Sequence, residues 1–246
     1  MDKSFIKRDI APVMLEMYQY FPVITLTGPR QSGKTTLLRK VFNQLPYYSL
    51  ENLDIRHFAL NDPIGFLNRH PEGMILDEVQ HVPDLLSYIQ GMVDENPEKR
   101  FVLSGSSQFT VIKKITQSLA GRTGVLELMP FSYNEVKKQV DEKTLNEVLL
   151  TGFYPVLYAG KNIPNLFYPS YVKTYLERDV LDLLKIKDMM QFRTFLGLCA
   201  GRIGSLFNAS ELSGEVGVSV NTIKSWLSVL QASYIIKLLP PFYENI

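Results

Sequence analysis

The chain has 246 residues, 46% hydrophobic and 21% charged, with a net charge of +1, a composition that buries a core in one large domain or two smaller ones. The near-zero charge excludes a whole-molecule field drawing it to nucleic acid or membrane, so any such contact needs a local patch. The single cysteine, Cys199, excludes an intrachain disulfide and sits in the apolar run Phe195-Leu196-Gly197-Leu198-Cys199-Ala200, where it reads as a core residue.

Met1-Asp2-Lys3-Ser4 leads into mixed charge with no apolar secretory core, and no stretch reaches the ~18 apolar residues of a membrane span. The expectation is a reduced, cytoplasmic protein without a membrane partner. Over residues 5–20, Ile6, Ile10, Val13, Met14, Met17 and Tyr18 recur at three- and four-residue spacing. This predicts an amphipathic helix with a break or kink near Pro12.

Residues 23–27, Val-Ile-Thr-Leu-Thr, read as a buried strand, and 35–41 as a helix without Gly or Pro. Between them Gly28-Pro29-Arg30-Gln31-Ser32-Gly33-Lys34-Thr35 fits G-x-x-x-x-G-K-[ST], the phosphate loop of nucleoside triphosphatases. Helix N-termini leave backbone N–H groups unpaired and carry partial positive charge, so they bind phosphate. Gly28 and Gly33 lack Cβ and let the amides curl around an oxyanion. The candidate nucleotide-binding residues are therefore Gly28 to Thr36, including Pro29, Arg30, Gln31, Ser32 and Thr36. Lys34 would reach the β- and γ-phosphates, and the Thr35 hydroxyl would hold Mg²⁺.

After Pro46, residues 47–50 read as a second strand, and 53–69 as helix interrupted at Asp62-Pro63, with Asp62 as cap and Pro63 at the first position. Met74-Ile75-Leu76-Asp77-Glu78 is an apolar run ending in two carboxylates, the Walker B pattern. Such a strand runs parallel to the loop strand and ends beside it at the carboxyl edge. Asp77 would hold Mg²⁺ through water, and Glu78 would polarise the attacking water; the bland alternative is a solvated strand end. A helix over 83–95 and a buried strand over 101–105 follow. In this fold class the end of that strand sits between the two Walker motifs, so Ser106, Ser107 or Gln108 could sense the γ-phosphate, or form a turn and helix cap.

Residues 109–120 read as a helix and 124–128 as the last strand, giving five strands separated by helical sequence and hence parallel. Arg122, between that helix and strand, could reach a γ-phosphate of its own or a neighbouring subunit as an arginine finger, or cap the helix C-terminus. Ser132 and Glu135 form a capping box at the next helix. The domain boundary falls between about 130 and 165: an α/β core over 1–135, a connecting helical layer over 136–165 and a helical domain over 166–246.

From Pro164 the chain reads as helical, with Tyr168, Tyr171, Val172, Tyr175, Leu176, Val180, Leu183 and Leu184 on one face. Glu177-Arg178-Asp179 reads as a solvated or salt-bridged face. A short helix over 208–216, a Gly217-Val218-Ser219 turn and a helix over 220–231 have helix-turn-helix spacing. Ile223, Trp226, Leu227 and Leu230 face inward; Asn221, Thr222, Lys224, Ser225 and Ser228 face outward. One basic residue on that face is a thin footprint for phosphates, which leaves DNA and a protein partner both open. Residues 234–239 read as strand-like, with no second wing strand following. An unpaired apolar strand is a liability, so the expectation is a chain truncated from a longer protein. An extended chain that refolds with no gain in stability would count against it.

These stretches together resemble the prokaryotic AAA+-type ATPases that carry a C-terminal domain of unknown function. The resemblance rests on residues 26–36, Ile75-Leu76-Asp77-Glu78-Val79-Gln80, Leu103-Ser104-Gly105-Ser106, Leu119-Ala120-Gly121-Arg122, Tyr175-Leu176-Glu177-Arg178-Asp179 and the helix-turn-helix. It implies a P-loop NTPase core with a five-stranded parallel sheet, followed by a winged-helix domain. Longer members continue into a restriction-endonuclease-like region that is absent here.

The expected function is Mg²⁺-dependent ATP binding and hydrolysis coupled to movement of the helix-turn-helix domain, with Glu78, Lys34 and Arg122 as catalytic residues and Thr35 and Asp77 at the metal. A finger supplied in trans would make the protein a homo-oligomer. The rival is a slow-turnover ATP-dependent switch that contacts DNA or a protein when loaded. A guanine-specific GTPase lacks support because no Asn-Lys-x-Asp run is present.

Overall fold

Alternation of apolar side chains along the strands builds the layers of the first half of the chain. The computed structural model describes residues 5–105, 118–160, 163–176 and 189–242. Strands β1 (Val23–Thr27), β2 (Tyr47–Ser49), β3 (Gly73–Asp77), β4 (Arg100–Gly105) and β5 (Thr123–Glu127) form one parallel sheet in the order β2-β3-β4-β1-β5. Successive residues of a strand point to opposite faces. Ile24, Leu26, Ile75 and Val102 pack with Met14, Leu37, Leu38 and Phe42 from α1 (Ala11–Tyr20), α2 (Lys34–Val41) and the residue after it. Val23, Met74, Leu76, Phe101 and Leu103 pack instead with Phe66 and Leu67 of α4 (Pro63–Leu67) and Leu85, Leu86 and Ile89 of α5 (Leu85–Glu95). Burial of each such large side chain contributes about 1.5–3 kcal/mol.

All five expected strands are present and parallel, and β1 and β3 are not direct neighbours, as expected if the end of the 101–105 strand sits between the two Walker motifs. Strand β4 is inserted between them, pairing Phe101 with Val23 on one side and Met74 on the other. The sheet therefore reaches both ways from β1, which lies at the point where strand order switches and where ligands bind in open α/β sheets. The helix expected over 5–20 starts only at Ala11, with Pro12 in its first turn, where a missing N–H costs nothing.

Asn52 caps α3 (Leu53–Asn61), and Asp62 caps α4 (Pro63–Leu67) by accepting from Gly65 N. Helix α5 spans Leu85–Glu95. The helix expected over 109–120 and the residues Ser106, Ser107 and Gln108 fall outside the described residues, apart from 118–120. Helix α6 (Tyr133–Val140) opens with the expected Ser132–Glu135 capping box. A further helix, α7 (Leu145–Thr151), opens with a second box, Thr144–Glu147, a T-x-x-E pattern of the same kind.

The chain divides into two units, residues 1–164 and 165–246. Helix α8 (Pro164–Tyr171) runs into a π turn, Val172–Leu176, with Tyr171 buried. Residues 177–188, including Glu177-Arg178-Asp179, Val180, Leu183 and Leu184, lie outside the described residues. Helices α9 (Met189–Gly201), α10 (Ala209–Val216) and α11 (Val220–Ala232) enclose a core of Phe192, Phe195, Leu212, Ile223, Trp226 and Leu230. Trp226 meets Phe192 edge-on, with ring centroids 5.4 Å apart. Asn208 caps α10, Gly217 leaves it at φ 77°, and Ser219 caps α11 by accepting from Thr222 N.

Residues 234–239 form no strand, contrary to expectation. Tyr234 turns the chain at φ 60°, and no strand among the described residues of this unit offers a ladder to pair with. No helix among the described residues is long and apolar enough to cross a membrane.

Candidate functional site

The carboxyl ends of β1, β3 and β4 meet the N-terminus of α2. The loop leaving β1 has three residues with positive φ: Gly28 at 144°, Gln31 at 63° and Gly33 at 92°. A Cβ on Gly28 would stand 2.2 Å from the Leu128 carbonyl oxygen, so only glycine lets the loop pass this close to the segment after β5. Gly33 is the N-cap of α2 and has no side chain to cap with, which leaves the first amides of the helix for another acceptor.

Lys34 begins α2 and is only 5% exposed. Its Nζ donates to the carbonyls of Gly28 and Pro29, each at 2.9 Å, at the mouth of the loop. Burial lowers the Lys34 ammonium from its ordinary value; the Glu78 and Asp77 charges pull it back up, and Arg30 pushes it down. These four charged residues thus share one electrostatic neighbourhood.

Asp77, 3% exposed at the end of β3, is where the elements converge. Its Oδ2 accepts from the Thr35 hydroxyl at 2.6 Å and the Tyr47 hydroxyl at 2.7 Å. Its Oδ1 accepts from the Ser104 hydroxyl and from Glu78 N at 3.2 Å. Four donors on two oxygens is the bonding pattern of a carboxylate, which only accepts. Burial, then the bond to Asp77, raises the Tyr47 phenol well above its ordinary value, so its hydroxyl stays protonated and donating.

Glu78 follows at φ 56° and ψ 48°, a left-handed conformation that costs a non-glycine residue roughly 1–2 kcal/mol. Its Oε2 accepts from Gln80 Nε2.

Tyr47 and Ser104 were not among the candidate residues. Ser104 carried a faint signal as a small polar residue closing an apolar strand. Tyr47, on the short strand β2, carried none beyond its hydroxyl. Arg122 is placed elsewhere: it precedes β5, at the opposite edge of the sheet from the loop, and forks onto Asp94 at 2.5 and 2.9 Å. The site of its own chain does not include it.

Thr35 and Asp77 supply hard oxygen donors 2.6 Å apart at a helix N-terminus, the donor type Mg²⁺ takes. No cluster of three or more His, Cys, Asp or Glu side chains suited to a metal exists among the described residues. The Ser32 hydroxyl, inside the loop and fully buried, has no hydrogen-bond partner among the described residues, as expected for a donor facing an anion site.

Beside Thr35 and Thr36 lies a cavity of about 890 Å³. Its walls include Phe5, Phe131, Pro155 and Tyr158, with Arg39 and Lys40 of α2. Its size is in the range of small-molecule sites, and it joins apolar rings to cationic groups next to the loop.

Residues 20–137 match the family model of an AAA domain, and residues 142–246 match that of a domain of unknown function. Uncharacterized proteins of Mycobacterium tuberculosis and Mycobacterium bovis are each 30% identical over 244 residues, which cover 98% of this chain and 54% of theirs. The chain thus spans about half the length of the curated relatives it matches. The Walker-type ATPase of Pyrococcus abyssi superposes with a TM-score of 0.61 at 16% identity, over 94% of this chain and 91% of that one. Residues 20–137 are thus similar to an AAA domain, the chain shares its fold with a Walker-type ATPase, and residues 142–246 are similar to a domain of unknown function.

Proposed function

We propose that the first unit binds ATP with Mg²⁺ and hydrolyses it, and that the cycle moves the helix-turn-helix unit. The observation that carries this reading is the convergence of Lys34, Thr35, Asp77 and Glu78 at the head of α2. The loop amides and Lys34 bind the phosphates, with Ser32 as a further donor. Thr35 and Asp77 hold Mg²⁺, which when bound neutralises phosphate charge and aligns it for displacement. Glu78 accepts a hydrogen bond from the attacking water and orients it. Tyr47 and Ser104 keep the Asp77 carboxylate in place. The cavity beside Thr36 takes the nucleoside, with Phe131 and Tyr158 offering apolar ring surface to the base. Ser106 as a γ-phosphate sensor and Arg122 as a finger donated to a neighbouring copy in a homo-oligomer belong to the same proposal.

The test is phosphate release from ATP by the purified chain across a Mg²⁺ titration, beside Lys34→Ala. Metal-dependent turnover that vanishes in the variant is expected; equal rates in both would end the proposal.

A second reading, a slow-turnover switch that contacts DNA or a protein when loaded, is favoured by one feature. Glu78 already accepts from Gln80 at Oε2, a bond that ties down the side chain proposed to orient the water. Glu78→Gln separates the two: a hydrolase traps ATP, whereas a switch loses little turnover. ATPase rate with and without double-stranded DNA addresses the partner. Stimulation that falls with salt supports nucleic acid, and no change favours a protein.

A further inference from the structure

Arg8 stands twenty residues before the loop in the irregular segment ahead of α1, yet it is buried against the loop. Its Nη1 donates to the Ser32 carbonyl at 2.8 Å. Its Nη2 donates to the Met129 carbonyl at 2.6 Å and the Pro130 carbonyl at 3.3 Å, and its Nε to Glu135 Oε1 at 2.9 Å. The guanidinium also lies 4.8 Å from the centre of the Phe131 ring, a wall of the cavity beside Thr36.

The bond to Ser32 has a directional consequence. A trans peptide holds its C=O and the following N–H in one plane, pointing in opposite directions. Fixing the Ser32 carbonyl toward Arg8 therefore turns the Gly33 N–H away from Arg8. Gly33 itself is close behind: a Cβ built on it would stand 3.8 Å from Arg8 Nη1. Gly33 has no side chain and sits at φ 92°, so nothing within the residue restrains that peptide plane.

We infer that Arg8 is a positioning residue for nucleotide binding, which aims the Gly33 amide into the phosphate loop and ties the loop to the 129–135 segment. The inference rests on the proposed ATP site. Glu135 completes the device: Oε1 also accepts from Asp9 N at 2.8 Å and Oε2 from Ser132 N at 2.8 Å, so the arginine is anchored to the capping box of α6. Only a planar fork with separated donors reaches Ser32, Met129 and Glu135 together; a lysine keeps the charge but not the geometry.

The test is titration of the full chain with the fluorescent analogue mant-ATP, using wild type, Arg8→Ala and Arg8→Lys, with thermal unfolding followed in parallel. The inference expects both variants to bind about ten- to a hundredfold more weakly, the loss of a charged hydrogen bond. A merely structural role would reduce the binding amplitude, which counts folded molecules, and leave the dissociation constant alone. Arg8→Ala or Arg8→Lys with the wild-type constant overturns the inference; if Arg8→Ala does not fold, Arg8→Lys decides alone. Wild type that fails to bind mant-ATP would be a different result, removing the nucleotide site and the inference with it.

Discussion

The Thr35 hydroxyl donates to Asp77 Oδ2 across 2.6 Å, joining the head of α2 to the end of β3 although the residues are 42 positions apart. The same oxygen accepts from Tyr47 at 2.7 Å. Asp77→Asn puts an amide where three hydroxyls converge and removes the charge that holds them. The expected outcome is a rise of about tenfold or more in the Mg²⁺ concentration for half-maximal ATPase, the scale of one lost charge-assisted contact. Tyr47→Phe shifts the same midpoint in the same direction by less, because Thr35 and Ser104 remain. A metal titration of the ATPase rate checks both.

Glu78→Gln keeps size and hydrogen bonding but removes the group that receives a proton. Turnover is expected to fall by about a hundredfold or more, the scale of general acid–base assistance. Mant-ATP affinity should stay near that of wild type, since Glu78 is no phosphate donor. An equal loss of affinity would move Glu78 from chemistry to binding.

Burial lowers the Lys34 ammonium below its ordinary 10.5. The charged form attracts phosphate, so nucleotide affinity falls as pH rises through the lowered value, and the loss begins below 10.5. Bound phosphate favours the charged form and pushes the transition back up. Lys34→Arg, which stays charged across this range, should flatten the alkaline limb whatever its affinity. Mant-ADP dissociation constants measured from neutral to alkaline pH test this; a flat wild-type profile would contradict it.

Gly28→Ala forces a Cβ to within 2.2 Å of a backbone oxygen, and the φ of 144° disfavours any side chain. A destabilisation of about 1–3 kcal/mol is expected, together with lost nucleotide binding. Gly91, where a Cβ meets nothing within 4 Å in the middle of α5, is the control. Gly91→Ala should be neutral or stabilise slightly, since alanine favours helix by about 1 kcal/mol. Thermal unfolding by circular dichroism reads both.

Trp226 is the single tryptophan, and it lies in the core of the second unit. Phe195→Ala should cost about 3–5 kcal/mol and lower the midpoint of the Trp226 fluorescence transition. ATP added to Glu78→Gln should change Trp226 emission if the cycle moves this unit; unchanged emission would rule against that coupling.

Much of the site was legible because its chemistry is local. A strand, a glycine-bounded loop and a helix stand next to one another in residues 23–41, so the Gly28–Thr35 motif carries its own structural context. Asp77 and Glu78 were equally readable as the end of an apolar run. Helix caps such as Asp62 and Ser132 were visible because a cap and its amide are only three residues apart.

What the amino-acid sequence determined by itself was therefore the set of strands, their parallel direction and the loop with its acidic partner. The position of β4 between β1 and β3 was expected, but tertiary structure alone decided that Ser104 of that strand donates to Asp77. It also decided that Tyr47 shares that carboxylate, and that Arg122 lies at the far edge of the sheet, held by Asp94. Arg8 is the clearest case: its partner Glu135 is 127 residues away, and no periodicity or spacing links them. Local geometry repeats along the chain and leaves a pattern in it. A contact between distant segments depends on how the whole sheet is ordered, and leaves none.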